Sequence, residues 1–124
     1  MDTYIAIDIG GTHIRAGLYP SEGIEPICVE RIHTQGKKGS SLERLFEVIT
    51  RIWPEKDAVR CIGVAAPGYI DPHRGVIILA PNIPHWDHLP LQQLITDQFH
   101  VPVQLGNDAN LAAMGEWRFG AGKG

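Results

Sequence analysis

Asp8-Ile9-Gly10-Gly11-Thr12 lies between two apolar runs, and this junction constrains the chain more than any other stretch. Tyr4-Ile5-Ala6-Ile7 reads as a buried strand, and His13-Ile14-Arg15-Ala16-Gly17-Leu18-Tyr19 resumes as a second. So short a connection makes a tight strand-to-strand turn that carries a carboxylate, two glycines and a hydroxyl. Gly-Gly is a common hairpin turn, which is one complete account of the segment. The other is chemical. Glycines admit positive φ and let backbone N–H groups approach an anion. Asp8 suits a hydrated Mg²⁺, and Thr12 can donate to a phosphate oxygen.

The rest of the chain supplies strands and helices in alternation. A third strand is expected around Glu25 to His33, after the turn at Pro20-Ser21-Glu22-Gly23. A Gly- and Lys-containing loop, Gln35 to Gly39, then leads to a helix. Ser40-x-x-Glu43 has the form of a capping box, and Leu42, Leu45, Phe46, Ile49, Ile52 and Trp53 recur at helical spacing until Pro54 stops them. Val59 to Ala66 reads as a central strand ending in Pro67-Gly68, and Gly75 to Leu79 as a short strand in an excursion that closes at Asn82. Pro90 opens a second helix with Leu91, Leu94, Ile95 and Phe99. Val101 to Leu105 is a strand, and Gly106-Asn107-Asp108 turns it into a third helix bearing Leu111, Ala112, Met114 and Trp117. This order predicts an α/β domain with a mixed sheet over residues 1–119, and 120–124 as a linker. Ligands of such sheets gather beyond the carboxyl ends of the strands, where Asp8–Thr12, Pro67-Gly68 and Asn107-Asp108 all lie.

Composition narrows the function. The 124 residues are 44% hydrophobic and 20% charged, the balance of one globular domain. No apolar run approaches the roughly 18–20 residues of a membrane span, and no secretory leader is visible. A net charge of -3 with dispersed cations is not a nucleic-acid footprint; Lys37-Lys38 is the only adjacent basic pair. Cys28 and Cys61 fall in strand-like segments and are expected to be buried, reduced thiols rather than a disulfide, which suits the cytoplasm. His85-x-x-His88 has metal-like spacing, but Pro84 and Pro90 flank it and no third ligand is near, so no metal is expected there. His13, His33, His73 and His100 are expected at surface or turn positions. Gly122-Lys123-Gly124 lacks the Ser or Thr that a Walker A lysine precedes.

Four segments together resemble the ROK family of sugar kinases and sugar-responsive repressors, within the actin-like ATPase (ribonuclease H-like) superfamily. They are Ile7–Thr12 with Arg15-Ala16-Gly17; Gly63-Val64-Ala65-Ala66-Pro67-Gly68 with Asp71 and Gly75; Ala80-Pro81-Asn82-Ile83-Pro84-x-Trp86 with Leu89-Pro90-Leu91; and Gly106-Asn107-Asp108-Ala109-Asn110 with Ala112, Ala113, Gly115 and Glu116. The resemblance implies a mixed five-stranded sheet with flanking helices and ATP-dependent phosphorylation of a hexose or hexose derivative. It implies that Asp8 organises Mg²⁺ through water and that Gly10, Gly11 and Thr12 face the ATP phosphates. Asn82, Asn107 and Gly68 would lie on the sugar side, and Asp108 would be the general base. A helix N-terminus favours the ionised, proton-accepting form of Asp108, although Asp is also a good N-cap, and Asn82 also reads as a turn amide among prolines.

The resemblance further implies a homodimer and a second domain completing the cleft, with zinc only in that domain. The chain is therefore expected to be an N-terminal half, inactive alone. A repressor of the same family would carry a helix-turn-helix before the core, for which a first strand starting at Thr3 leaves no room. A free-standing interaction module is the third alternative.

Overall fold

The computed structural model describes residues 1–36, 39–110, 112 and 113. Strands β1 (Asp2–Ile9), β2 (His13–Pro20), β3 (Cys28–His33), β4 (Ala58–Ala65) and β8 (Val103–Gly106) form one sheet in the order β3-β2-β1-β4-β8. The first three are antiparallel neighbours, while β1, β4 and β8 run parallel, so the sheet is mixed. A parallel step needs a crossover. Helix α1 (Ser41–Ile52) supplies it before β4, and helix α2 (Leu91–Phe99) before β8.

Alternation along β1 separates two faces. Ile5, Ile7 and Ile9 point with Ile14, Leu18, Ile62, Val64 and Leu105 into the main core, against Leu45, Val48, Ile49 and Ile52 of α1 and Leu91 and Ile95 of α2. Of the expected stripe Leu45, Ile49 and Ile52 are buried, joined by Val48, while Leu42, Phe46 and Trp53 are partly buried; full burial of each such aliphatic contributes about 1.5–3 kcal/mol. The capping box forms as read: Glu43 N–H donates to Ser40 Oγ at 3.1 Å and Ser40 N–H to Glu43 Oε1 at 3.3 Å. Trp53 turns extended before Pro54 and stacks on Phe99 at 5.3 Å, with Phe46 edge-on to the same ring at 5.8 Å, which ties α1 to α2.

The opposite face carries Tyr4 and Ala6 of β1, Tyr19 and Cys61, closed by Ala109 and Ala113 of the helical turn after β8. Tyr4 and Tyr19 stack at 5.2 Å, and Asn110 Nδ2 donates to the Tyr4 hydroxyl at 3.4 Å. The approach is close because residue 63 has no side chain: a Cβ there would run into the Ala109 carbonyl and the Ala113 nitrogen.

Several boundaries differ from the sequence reading. β3 begins at Cys28, not Glu25, because residues 22–28 are exposed and offer no face to bury. The excursion after β4 holds three strands rather than one: β5 (Tyr69–Asp71), β6 (Val76–Leu79) and β7 (Asp87–Leu89) form a separate antiparallel sheet in that order. β5 and β7 are only three residues long and show no alternation that sequence could reveal. Cys61 is buried as expected, its thiol donating to the Ala113 carbonyl. Cys28 is not: it starts an edge strand and is exposed, and the two cysteines form no disulfide. Lys37-Lys38, Leu111, Met114, Gly115, Glu116, Trp117, the 119/120 boundary and the Gly120–Gly124 tail lie outside the described residues. No helix among the described residues is long and apolar enough to cross a membrane.

Candidate active site at the carboxyl edge of the sheet

The register aligns the strand ends. Asp8 pairs with Ala65, and Ala65 with Gly106. These three residues form one row, so the Cα atoms of Asp8 and Gly106 are two strand spacings apart, about 10 Å. Asn107 and Asp108 follow Gly106 directly and are exposed. The Asp108 carbonyl accepts from Ala112 N–H at 2.9 Å, which makes Asp108 the residue that opens the helical turn.

The first turn is fastened from below. Gly10 N–H donates to the His13 carbonyl at 2.8 Å, and Thr34 N–H donates to the Thr12 carbonyl at 2.8 Å. The Thr34 hydroxyl, fully buried, donates to the Gly10 carbonyl at 2.7 Å. The two glycines serve a different purpose from the positive φ expected of them. The positive-φ glycines among the described residues are Gly23, Gly39, Gly68 and Gly75. What crowds a side chain at Gly10 and Gly11 is proximity. A Cβ would stand 3.1 Å from the His13 carbonyl oxygen at Gly10, and 3.3 Å from Asn82 Cβ at Gly11.

Asn82 thus reaches the first turn from 71 residues away in sequence. Its loop is bound internally: Ala80 N–H donates to Trp86 O, Ile83 N–H to Ala80 O and Trp86 N–H to Ile83 O. Ala80, Ile83 and Trp86 are buried while Asn82 stays exposed, and Gln35 Nε2 donates to its backbone carbonyl at 2.8 Å. Gly68 (φ 83) packs its backbone onto Leu79 and Ala80, just ahead of Asn82. Asp71 holds the next hairpin, its Oδ1 accepting from His73 and Arg74 N–H.

An open cleft of about 380 Å³ lies against the first turn, lined by Asp8, Ile9, Gly10, His13, Arg15, Arg31 and the Ala65–Pro67 turn. The structure therefore brings Asp8 and Gly10 into one cleft, sets Gly11 against Asn82, and puts Gly68, Asn107 and Asp108 along the same edge but outside the cleft lining. His13, Arg15 and Arg31 are the cleft residues to which sequence assigned no role. Hairpin pairing across the turn puts Arg15 opposite Asp8, a signal present in the sequence; Arg31 is reached only through the third strand's register. His13 is half-buried, and its ring lies tilted by 33° against that of His33 at 4.6 Å. Partial desolvation, then the charges of His33 and Arg31, hold its imidazole below the ordinary histidine value. His33, His73 and His100 are exposed. Among the described residues no three His, Cys, Asp or Glu side chains gather as metal ligands, and His85 and His88 are both exposed with positive φ.

The model of the ROK family matches residues 4–124. The chain belongs to the ROK family. It is 33% identical to a glucokinase of Streptomyces coelicolor over 126 residues, an overlap of all of this chain and 38% of that protein. It superimposes with a TM-score of 0.74 on the crystal structure of a ROK family glucokinase from Streptomyces griseus in complex with glucose and AMPPNP, at 36% identity, covering 98% of this chain and 38% of that one. A xylose repressor of Caldicellulosiruptor bescii is 41% identical over 59 residues, 48% of this chain and 14% of the repressor. The chain thus spans little more than a third of the glucokinases it matches, and its fold is that of their actin-like ATPase domain.

Proposed function

We propose that this ROK chain forms one wall of the active site of an ATP-dependent hexose kinase, with residues 1–119 as the domain and 120–124 leading to a second. The observation that carries the reading is the row Asp8–Ala65–Gly106, which sets one carboxylate beside a glycine turn and the strand end leading into Asp108 about 10 Å along the same edge. Asp108 follows Gly106 by two residues and is exposed, so both carboxylates stand along one edge of the sheet. The glucokinase bound to glucose and AMPPNP supports the same pairing of ligands here.

The residues fit a magnesium nucleotide. Asp8 is exposed and makes no ion pair among the described residues, so its oxygens are available to a hydrated Mg²⁺. Gly10 and Gly11 allow the phosphates to approach the backbone, and the exposed Thr12 offers a hydroxyl. When bound, MgATP supplies the γ-phosphoryl group and neutralises part of its charge. Asn82 and Asn107 hydrogen-bond sugar hydroxyls, Gly68 keeps the Asn82 loop close, and Asp108 accepts the proton of the hydroxyl being phosphorylated. Because the family also includes a xylose repressor matching this chain, a sugar-sensing repressor is the second reading.

The test is D108N in the protein as its gene encodes it. Glucose-dependent ATP turnover should fall about 10²–10⁴-fold, the usual contribution of a general base, with glucose still bound. Near-normal turnover would sink the assignment of Asp108. Sugar binding by the unaltered protein with no phosphorylation at all would favour the repressor.

A further inference from the structure

Four cationic or protonatable side chains stand as a block on one face of the hairpin next to Asp8. Arg15 pairs with Asp8 on one side and with Arg31 on the other, and His13 pairs with His33. Residues in register share a face with Cβ atoms about 4.5–5.5 Å apart, and like charges set directly opposite are destabilising. Arg15 and Arg31 carry that cost, offset by Asp8 alone in register beside Arg15: among the described residues neither makes an ion pair, whereas Arg51 and Arg60 pair with Glu47 and Asp2. Both line the cleft against the first turn, together with His13.

We propose that Arg15 and Arg31 hold the phosphate chain of the phosphoryl donor in this cleft, a role that rests on the kinase reading. A guanidinium presents a planar fork of donors that matches phosphate oxygens, and two of them on adjacent strands fix a chain of phosphates in one direction. Strand pairing fixes the backbone positions of both before the ligand arrives. One carboxylate, Asp8, faces two guanidinium groups, so the cleft keeps net positive charge even where the whole chain is negative. An anion seated there also removes the like-charge repulsion between β2 and β3.

The experiment measures binding of tripolyphosphate and of MgATP by calorimetry to the protein as encoded, and to its R15Q and R31Q variants. Each substitution should weaken both ligands about tenfold, the loss of one charge-assisted contact. R15K and R31K should retain most of the affinity. Unchanged affinities in correctly folded R15Q and R31Q, judged by circular dichroism, would overturn the proposal. Arginine-dependent tripolyphosphate binding by a protein that phosphorylates no hexose would remove the kinase reading and keep the polyphosphate site.

Discussion

Gly68 shows how a single residue without a side chain can govern the site. It combines φ 83 with a backbone so close to Leu79 that a Cβ would run into that residue's carbonyl oxygen. Gly68→Ala therefore meets strain and overpacking together, and should destabilise the domain by about 2–4 kcal/mol in urea unfolding. A loss below about 0.5 kcal/mol would show that the turn relaxes freely. Gly10 and Gly11 are a related case, because a side chain there would be crowded by neighbours rather than strained in φ. Their partners, the His13 carbonyl and Asn82, are respectively local and remote. Only the first could have been argued from the chain itself.

Among the elements, α1 was the most legible, since its cap, apolar stripe and stop are all local chemistry. Ser40→Ala removes the Oγ that accepts from Glu43 N–H, and should cost about 1 kcal/mol of stability. Thermal melting of that variant checks it, and an unchanged midpoint would mean that solvent replaces the cap. β5 and β7 were illegible for the opposite reason. At three residues each they have no period to detect, and they exist because β6 lies between them and offers hydrogen bonds on both edges. Cys28 belongs to the same class of surprise: its residue type and apolar neighbours suggested burial, but the edge position of β3 leaves it in solvent.

At the scale of the whole molecule, the close contact between β4 and the helical turn after β8 sets where Asp108 stands. Gly63 makes that contact possible, since any side chain there would displace Ala109 and Ala113. Gly63→Val should therefore push the turn away from the sheet, lowering stability by about 1–3 kcal/mol. In the proposed kinase it should lower turnover more than it weakens MgATP binding, because Asp8 sits on a different strand. Equal losses in both, measured by steady-state kinetics and calorimetry, would show that the sheet itself had been disturbed.

Sequence alone was enough for what depends on neighbours along the chain: the α/β order, the tight turn after β1, the capped first helix and the four motifs that resemble the ROK family. Those follow from periodicity, capping chemistry and turn residues, all of which act over a few positions. The tertiary structure decided what depends on register and close approach. It set Asp8, Ala65 and Gly106 in one row, brought Asn82 onto Gly11, and gathered Arg15, Arg31 and His13 around the first carboxylate. The Asp8–Thr12 turn was visible as a junction between strands. Its surroundings came from strands and loops distant in sequence, because side chains meet across a sheet only after pairing has chosen their register.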